Sequence, residues 1–159
     1  MKRFSLFLLV MLCALSFSMQ AAMFSTSPTP LQQSSQNVKI YFDPSQCDVT
    51  ALKTATEIYA HIGVTLPDAP VEWKYVVGNW ADKQPKKKFT KLSDGCWELN
   101  IGDINTYFNL PAGVTVAKIA IIALNANGTA QTADYFLNVY PEGFYIDFTH
   151  TPDNLVISK

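Results

Sequence analysis

The sequence predicts an all-β fold, an immunoglobulin-like β-sandwich of about seven to eight strands with one short helical turn. Three observations predict it. From Val38 onward apolar residues recur with a period of two far more often than 3.6, the spacing of half-buried strands. Clusters rich in Gly, Pro, Asn and Asp separate these runs, as turns do in a sandwich. One long run, VTVAKIAIIAL from Val114 to Leu124, is rich in β-branched residues and suits a central strand. No internal repeat is visible.

The elements follow in order. Lys2 and Arg3, an apolar run from Phe4 to Phe17 and small residues at Ala21 and Ala22 form the three-part pattern of a secretory signal peptide over residues 1–22. The apolar run is shorter than the roughly 20 residues that span a bilayer, so the chain is expected not to be membrane-spanning. Cys13 follows a large Leu12, a poor fit to lipoprotein processing, and no lipid anchor is expected. The expected location is periplasmic or extracellular. Residues 23–37, dominated by Ser, Thr, Pro and Gln, read as a flexible leader.

The ordered domain is expected over residues 38–148. VKIYF (38–42) sets Val38, Ile40 and Phe42 on one face. EIYAHIGV (57–64) sets Ile58, Ala60, Ile62 and Val64 opposite Tyr59 and His61. After the turn LPDAP, VEWKYVV (71–77) reads as a half-buried strand, with Val71, Trp73, Tyr75 and Val77 inward. A polar connection (78–88) leads to KFTKL (88–92), and Asp94-Gly95 marks a hairpin into CWELNI (96–101). Behind Asp103 as a cap, Ile104, Tyr107 and Phe108 fall at helical spacing. The run 114–124 enters a tight turn at 125–128 and returns through TADYFLNVY (132–140). GFYIDF (143–148) is a last short strand, and residues 149–159 form a tail.

Charge and motif content exclude several functions. The whole chain carries a formal −1 and loses Lys2 and Arg3 with the signal segment, which leaves −3. Nothing in that balance suits nucleic acid, which calls for a basic face. G-x-S-x-G, H-E-x-x-H, C-x-x-C and a Gly-rich phosphate loop are missing. With only His61 and His150, neither an imidazole triad nor a three-histidine metal site assembles, and His61 reads as a polar residue on a solvated face. No cofactor and no metal are expected, and the chain reads as a binding protein and not an enzyme. Asp82, Asp94, Glu98, Asp103 and Asp134 could supply paired carboxylates, but spacing brings no two of them together. Cys47 and Cys96 survive export, and both a disulfide between them, adding about 3–4 kcal/mol, and two separate buried thiols fit their spacing.

The aromatic residues, 13% of the chain, are the better material for a site. A sugar ring offers apolar C–H faces that an exposed aromatic plane can cover while polar side chains orient the hydroxyl groups. Trp73 and Trp97 are in phase with strand cores. Trp80, among Gly78, Asn79, Asp82 and Lys83, is the one without a core pattern. The lysines Lys83, Lys86, Lys87 and Lys88 read as a solvated loop that shields a strand edge.

The segments IYAHIGV, WKYVV followed by Trp80, the lysine before FTKL, WELNI, and NANGT before a strand ending in NVY resemble the accessory domain at the front of secreted Bacteroidetes α-amylase-family proteins. Related sandwiches occur in starch-binding outer-membrane proteins. The resemblance covers residues 38–140 and implies an immunoglobulin-like sandwich that handles starch-like α-glucans or spaces another module. No catalytic barrel follows in this chain, so the resemblance carries no hydrolysis with it. It implies a polysaccharide or oligosaccharide ligand with Trp80 as the leading contact and Trp73, Lys74 and Tyr75 behind it. The alternative partner is another exported protein, held by a structural or adaptor sandwich.

Overall fold

The computed structural model describes residues 22–143, 145–146 and 157–158. Eight strands form two antiparallel four-stranded sheets. They are β1 (Phe24–Ser27), β2 (Val38–Phe42), β3 (Ile58–Leu66), β4 (Ala69–Lys74), β5 (Thr90–Lys91), β6 (Trp97–Gly102), β7 (Lys118–Asn125) and β8 (Tyr135–Asn138). One sheet has the order β1-β2-β6-β5, the other β4-β3-β7-β8. Lettered in chain order, these are A-B-E-D and C′-C-F-G, the strand order of the immunoglobulin sandwich.

Alternation builds the core. On β3, Ile58, Ala60, Ile62 and Val64 face inward beside Ile119, Ile121 and Ala123 of β7, and they meet Val38, Ile40, Phe42, Trp97, Leu99 and Ile101 of the opposite sheet. Each Val, Leu, Ile or Phe among them removed from water contributes about 1.5–3 kcal/mol. Trp97 is a core residue, 3% exposed, as its phase predicts. The Asp94-Gly95 hairpin forms between β5 and β6: Gly95 takes a φ of 91°, and the Asp94 carboxylate accepts from the Cys96 amide at 2.9 Å. Asp103 caps helix α2 (Ile104–Tyr107) by accepting from the Thr106 amide at 2.7 Å. An unforeseen turn of helix, α1 (Thr50–Lys53), inserts Leu52 into the core. In chain order the helices are α1 and then α2, and two short 3-10 turns lie at Pro44–Gln46 and Pro85–Lys87.

Three expectations are corrected. Residues 23–37 are not a flexible leader: β1 lies within them and pairs with β2 from Phe24↔Phe42 to Ser27↔Lys39. Phe24 and Leu31 are buried, and the Phe24 ring lies 5.0 Å from that of Phe42. Two apolar anchors suffice to fix a segment whose remaining composition is polar. Second, VEWKYVV is not one half-buried strand. β4 ends at Lys74, Tyr75 takes a left-handed φ of 47°, and the alternation breaks there. Val71, expected inward, is 71% exposed, while Val77 alone is buried. Third, the described part of the strand expected over 143–148 joins neither sandwich sheet. That part, β9 (Tyr145–Ile146), pairs with β10 (Ile157–Ser158) from the expected tail. Phe144, Asp147 and Phe148 lie outside the described residues, as do residues 1–21 of the expected signal peptide.

Cys47 and Cys96 are free thiols, Cys47 buried in the core and Cys96 partly exposed. Burial, with the carboxylates of Asp94 and Asp43 nearby, pushes the Cys96 thiol up and keeps it protonated.

Candidate functional site: an aromatic row on the outer sheet face

The outer face of β4-β3-β7-β8 carries a second, smaller apolar cluster. Tyr59 of β3 with Ile122 and Leu124 of β7 form its base, and Trp73, Ala81 and Ala126 pack on it. Beside it four rings follow one another. Trp80 lies 4.8 Å from His61, centroid to centroid, with planes inclined by 58°. His61 stacks on Trp73 at 5.3 Å and 25°, and Trp73 meets the edge of Phe136 at 6.5 Å. Lys118 Nζ sits 5.5 Å from the centre of the Phe136 ring, within the range of a cation–π contact.

The register accounts for this row. Gly63 pairs with Ala120, and Ala120 pairs with Phe136. Two residues of little bulk therefore leave the middle of the outer face low, and the long indole of Trp73 reaches from β4 toward β8. There its Nε1 donates to Asp134 Oδ2 at 3.3 Å, which satisfies the donor that an indole brings to a packed site.

Trp80 stands on a braced loop. Gly78 at φ 64° and Ala81 at φ 54° fold the chain back on itself. A Cβ on Gly78 would lie 2.3 Å from Asp82 Oδ2 and from Gln84 Nε2, so only glycine lets that carboxylate close the loop. Asp82 Oδ2 accepts from the Asn79 amide and from Gln84 Nε2, both at 2.8 Å. Lys87 enters from below, 1% exposed, donating to the Asn79 carbonyl at 2.7 Å and pairing with Asp82 Oδ1. Burial works to raise the Asp82 carboxyl, but the Lys87 hydrogen bond and charge, the Asn79 amide and Gln84 together hold it below its ordinary value. On the far side, a Cβ on Gly128 would lie 2.7 Å from Ala81 Cβ and 3.4 Å from Trp80 Nε1. The β7–β8 turn thus packs directly against the loop.

This geometry revises several expectations. Trp80 is 45% exposed, fitting a rim position. Trp73 is half-buried on the outer face, not in the core, because β4 presents it on the side opposite Lys74, the partner of Val64. Lys74 and Tyr75 follow it and are exposed. His61 faces outward as its phase requires, yet it is covered by the two indoles, and its Nδ1 is buried without a hydrogen-bond partner. Burial, reinforced by the nearby Lys87 charge and opposed by Asp82 and Asp134, lowers the imidazole pKa and keeps the ring neutral. Lys87 is not part of a solvated loop. Of the neighbouring lysines, Lys88 pairs with Glu57 and Lys86 lies 5.8 Å from the centre of the Tyr107 ring. The carboxylates are engaged separately: Glu98 with Lys39 at 3.0 Å, Asp94 in the hairpin turn, Asp103 in a helix cap, Asp82 with Lys87 and Asp134 with the Trp73 indole. Among the described residues no cluster of His, Cys, Asp and Glu could hold a metal ion.

His61, Phe136, Asp134 and Lys87 are the parts of this face that sequence reasoning did not assign to it. Outward phase marks His61 and Phe136, but their meeting depends on register. The chain matches no protein-family model, and no curated protein is significantly similar to it. Fold and face together define an immunoglobulin-topology sandwich with an aromatic row on its C′-C-F-G sheet. Among the described residues no helix is long and apolar enough to cross a membrane.

Proposed function

We propose that this protein is an exported, non-catalytic carbohydrate-binding module for starch-like α-glucans, and that its ligand lies along the outer aromatic row. One observation carries the reading: a tryptophan left 45% exposed on a loop that the Lys87–Asp82 ion pair holds in place. An apolar side chain of this size is normally covered. Holding one in the open on a rigid mount suits a ligand that stacks on it, because little entropy is lost when the ligand arrives. Trp73 continues the surface beyond His61, Tyr75 is exposed near its edge, and Lys74, on the opposite side of β4, stands apart from it. The inclination of Trp80 to the rest of the row makes the surface stepped, which suits a bent glucan chain better than a flat crystalline one. The resemblance of residues 38–140 to starch-system accessory domains supports the α-glucan assignment.

Retention on insoluble starch tests the proposal. The wild type is expected to be retarded and Trp80→Ala to pass with the void, while its melting temperature stays close to the wild-type value. Absence of retention of the wild type on every polysaccharide tried overturns the proposal and leaves the adaptor reading, in which the partner is another exported protein.

A further inference from the structure

Four large apolar side chains stand exposed among the described residues, Val71, Tyr75, Val76 and Trp80, and all fall within ten positions of one another along β4 and the chain that follows it. β4 is the end strand of its sheet, bound on one side to β3 and on the other to no strand among the described residues. It is also the longest of the four end strands. β5 has two residues, β1 has four, mostly polar, and β8 is crossed at its end by the N-terminal segment, where the Tyr140 amide donates to the Leu31 carbonyl at 2.7 Å. An uncovered edge with exposed apolar side chains is a template for another strand.

The sequence of this edge is complementary to itself. In Val71-Glu72-Trp73-Lys74-Tyr75, charges of opposite sign flank Trp73, and apolar residues flank the charges. Two copies paired antiparallel about a two-fold axis at Trp73 place Glu72 opposite Lys74 of the other copy, twice over, with Val71 of each copy near the other's Tyr75, where β4 has ended. Glu72 and Lys74 already lie on one face, 2.8 Å apart and well exposed, so the four charges would alternate in sign on one side of the joined strands. Opposite charges directly across a strand pair are favourable and like charges are not. Pro70, which lacks a donor, falls at the rim of this pairing, where a missing ladder bond costs little.

The geometry points to β4 as an isologous interface: two copies of this chain join edge to edge through residues 72–74 into one continuous eight-stranded sheet, with their aromatic rows on the same side. The surface depends on a second copy and on no sugar, and the charges it uses lie on the side of β4 opposite the Trp73 indole, so its failure leaves the glucan reading intact.

Sedimentation of the purified protein over a range of concentrations tests it with charge exchange. The wild type is expected to rise toward twice the monomer mass. Glu72→Lys and Lys74→Glu alone each set like charges across the axis and should weaken association by about tenfold or more. Mixing the two variants should restore it as a heterodimer, and so should the double exchange within one chain. Both side chains are exposed, so unchanged thermal melts confirm that each variant folds. A wild type that stays monomeric at every concentration, or single exchanges that leave association untouched, overturns the interface.

Discussion

Lys87 Nζ donates to the carbonyl of Asn79 at 2.7 Å, one residue before Trp80 in the chain. A lysine at 1% exposure would carry a severe desolvation cost were its charge not matched. Asp82 matches it, and the two together close the loop that displays the indole.

Removing the cation should therefore act on both stability and presentation. Lys87→Met leaves Asp82, 24% exposed, without its partner, and losing a hydrogen bond to a charged group costs about 1.5–3 kcal/mol. Chemical denaturation is expected to show a loss of that order. Lys86→Met, exposed and with its amine over the Tyr107 ring, should change stability little.

The covered imidazole predicts a pH dependence. His61 in the folded protein has a pKa below its ordinary 6.5, through burial first and the Lys87 charge second, so the unfolded chain takes up the proton first as pH falls. Stability should be flat above about pH 6.5 and decline as pH drops from there toward the folded-state value. His61→Phe keeps a ring between the two indoles and removes the titration. It should lack this decline and lose stability only at the lower pH where Asp82 and Asp103, both held below the ordinary carboxylate range, take up protons. An unchanged profile in His61→Phe would show that the imidazole is not the group responsible.

The N-terminal strand predicts a large effect from a residue in an unpromising context. Phe24 is 2% exposed and packs on both Phe42 and Tyr135, so Phe24→Ala should cost about 3–5 kcal/mol. Ser25→Ala, on the same strand but exposed, should be nearly silent. Equal effects of the two would mean that β1 is not part of the cooperative unit.

These cases mark what is legible in the sequence. β3 alternates for long enough to fix which side is core, β7 shows itself a central strand by an apolar run buried on both faces, and Asp94-Gly95 and Asp103 fix a turn and a helix start through local chemistry. β1 is hidden because Ser, Thr and Pro surround its two anchors, Phe24 and Leu31. β4 misleads because the regular spacing of Val71, Trp73, Tyr75 and Val77 continues through a residue whose positive φ cancels it. Nothing local separates Lys87 from Lys86 and Lys88, since its burial depends on a carboxylate that the loop brings back to it. For the site, Trp80 stands out by lacking a core pattern, whereas the row it belongs to requires the register that sets Gly63 beside Ala120. That is a long-range pairing and no neighbouring residue encodes it.

Trp80 also separates binding from folding. Its ring leans on His61 but is nearly half exposed, and such an aromatic contact is worth about 0.5–1.5 kcal/mol. Trp80→Ala should lower stability by no more than that, far less than Trp97→Ala in the core, where truncation costs about 3–5 kcal/mol. Equal losses would mean that Trp80 is a packing residue.

The most direct measurement is a fluorescence titration with a linear maltooligosaccharide, because the ligand is proposed to lie against the indoles themselves. Saturable change in tryptophan emission is expected for the wild type and for Trp97→Phe, whose missing indole is in the core, with the response lost in Trp80→Ala and weakened in Trp73→Phe. A wild type with no response and no competing response to any other glycan, or a Trp80→Ala protein that binds as the wild type does, would contradict the assignment of the outer aromatic row as a glucan site.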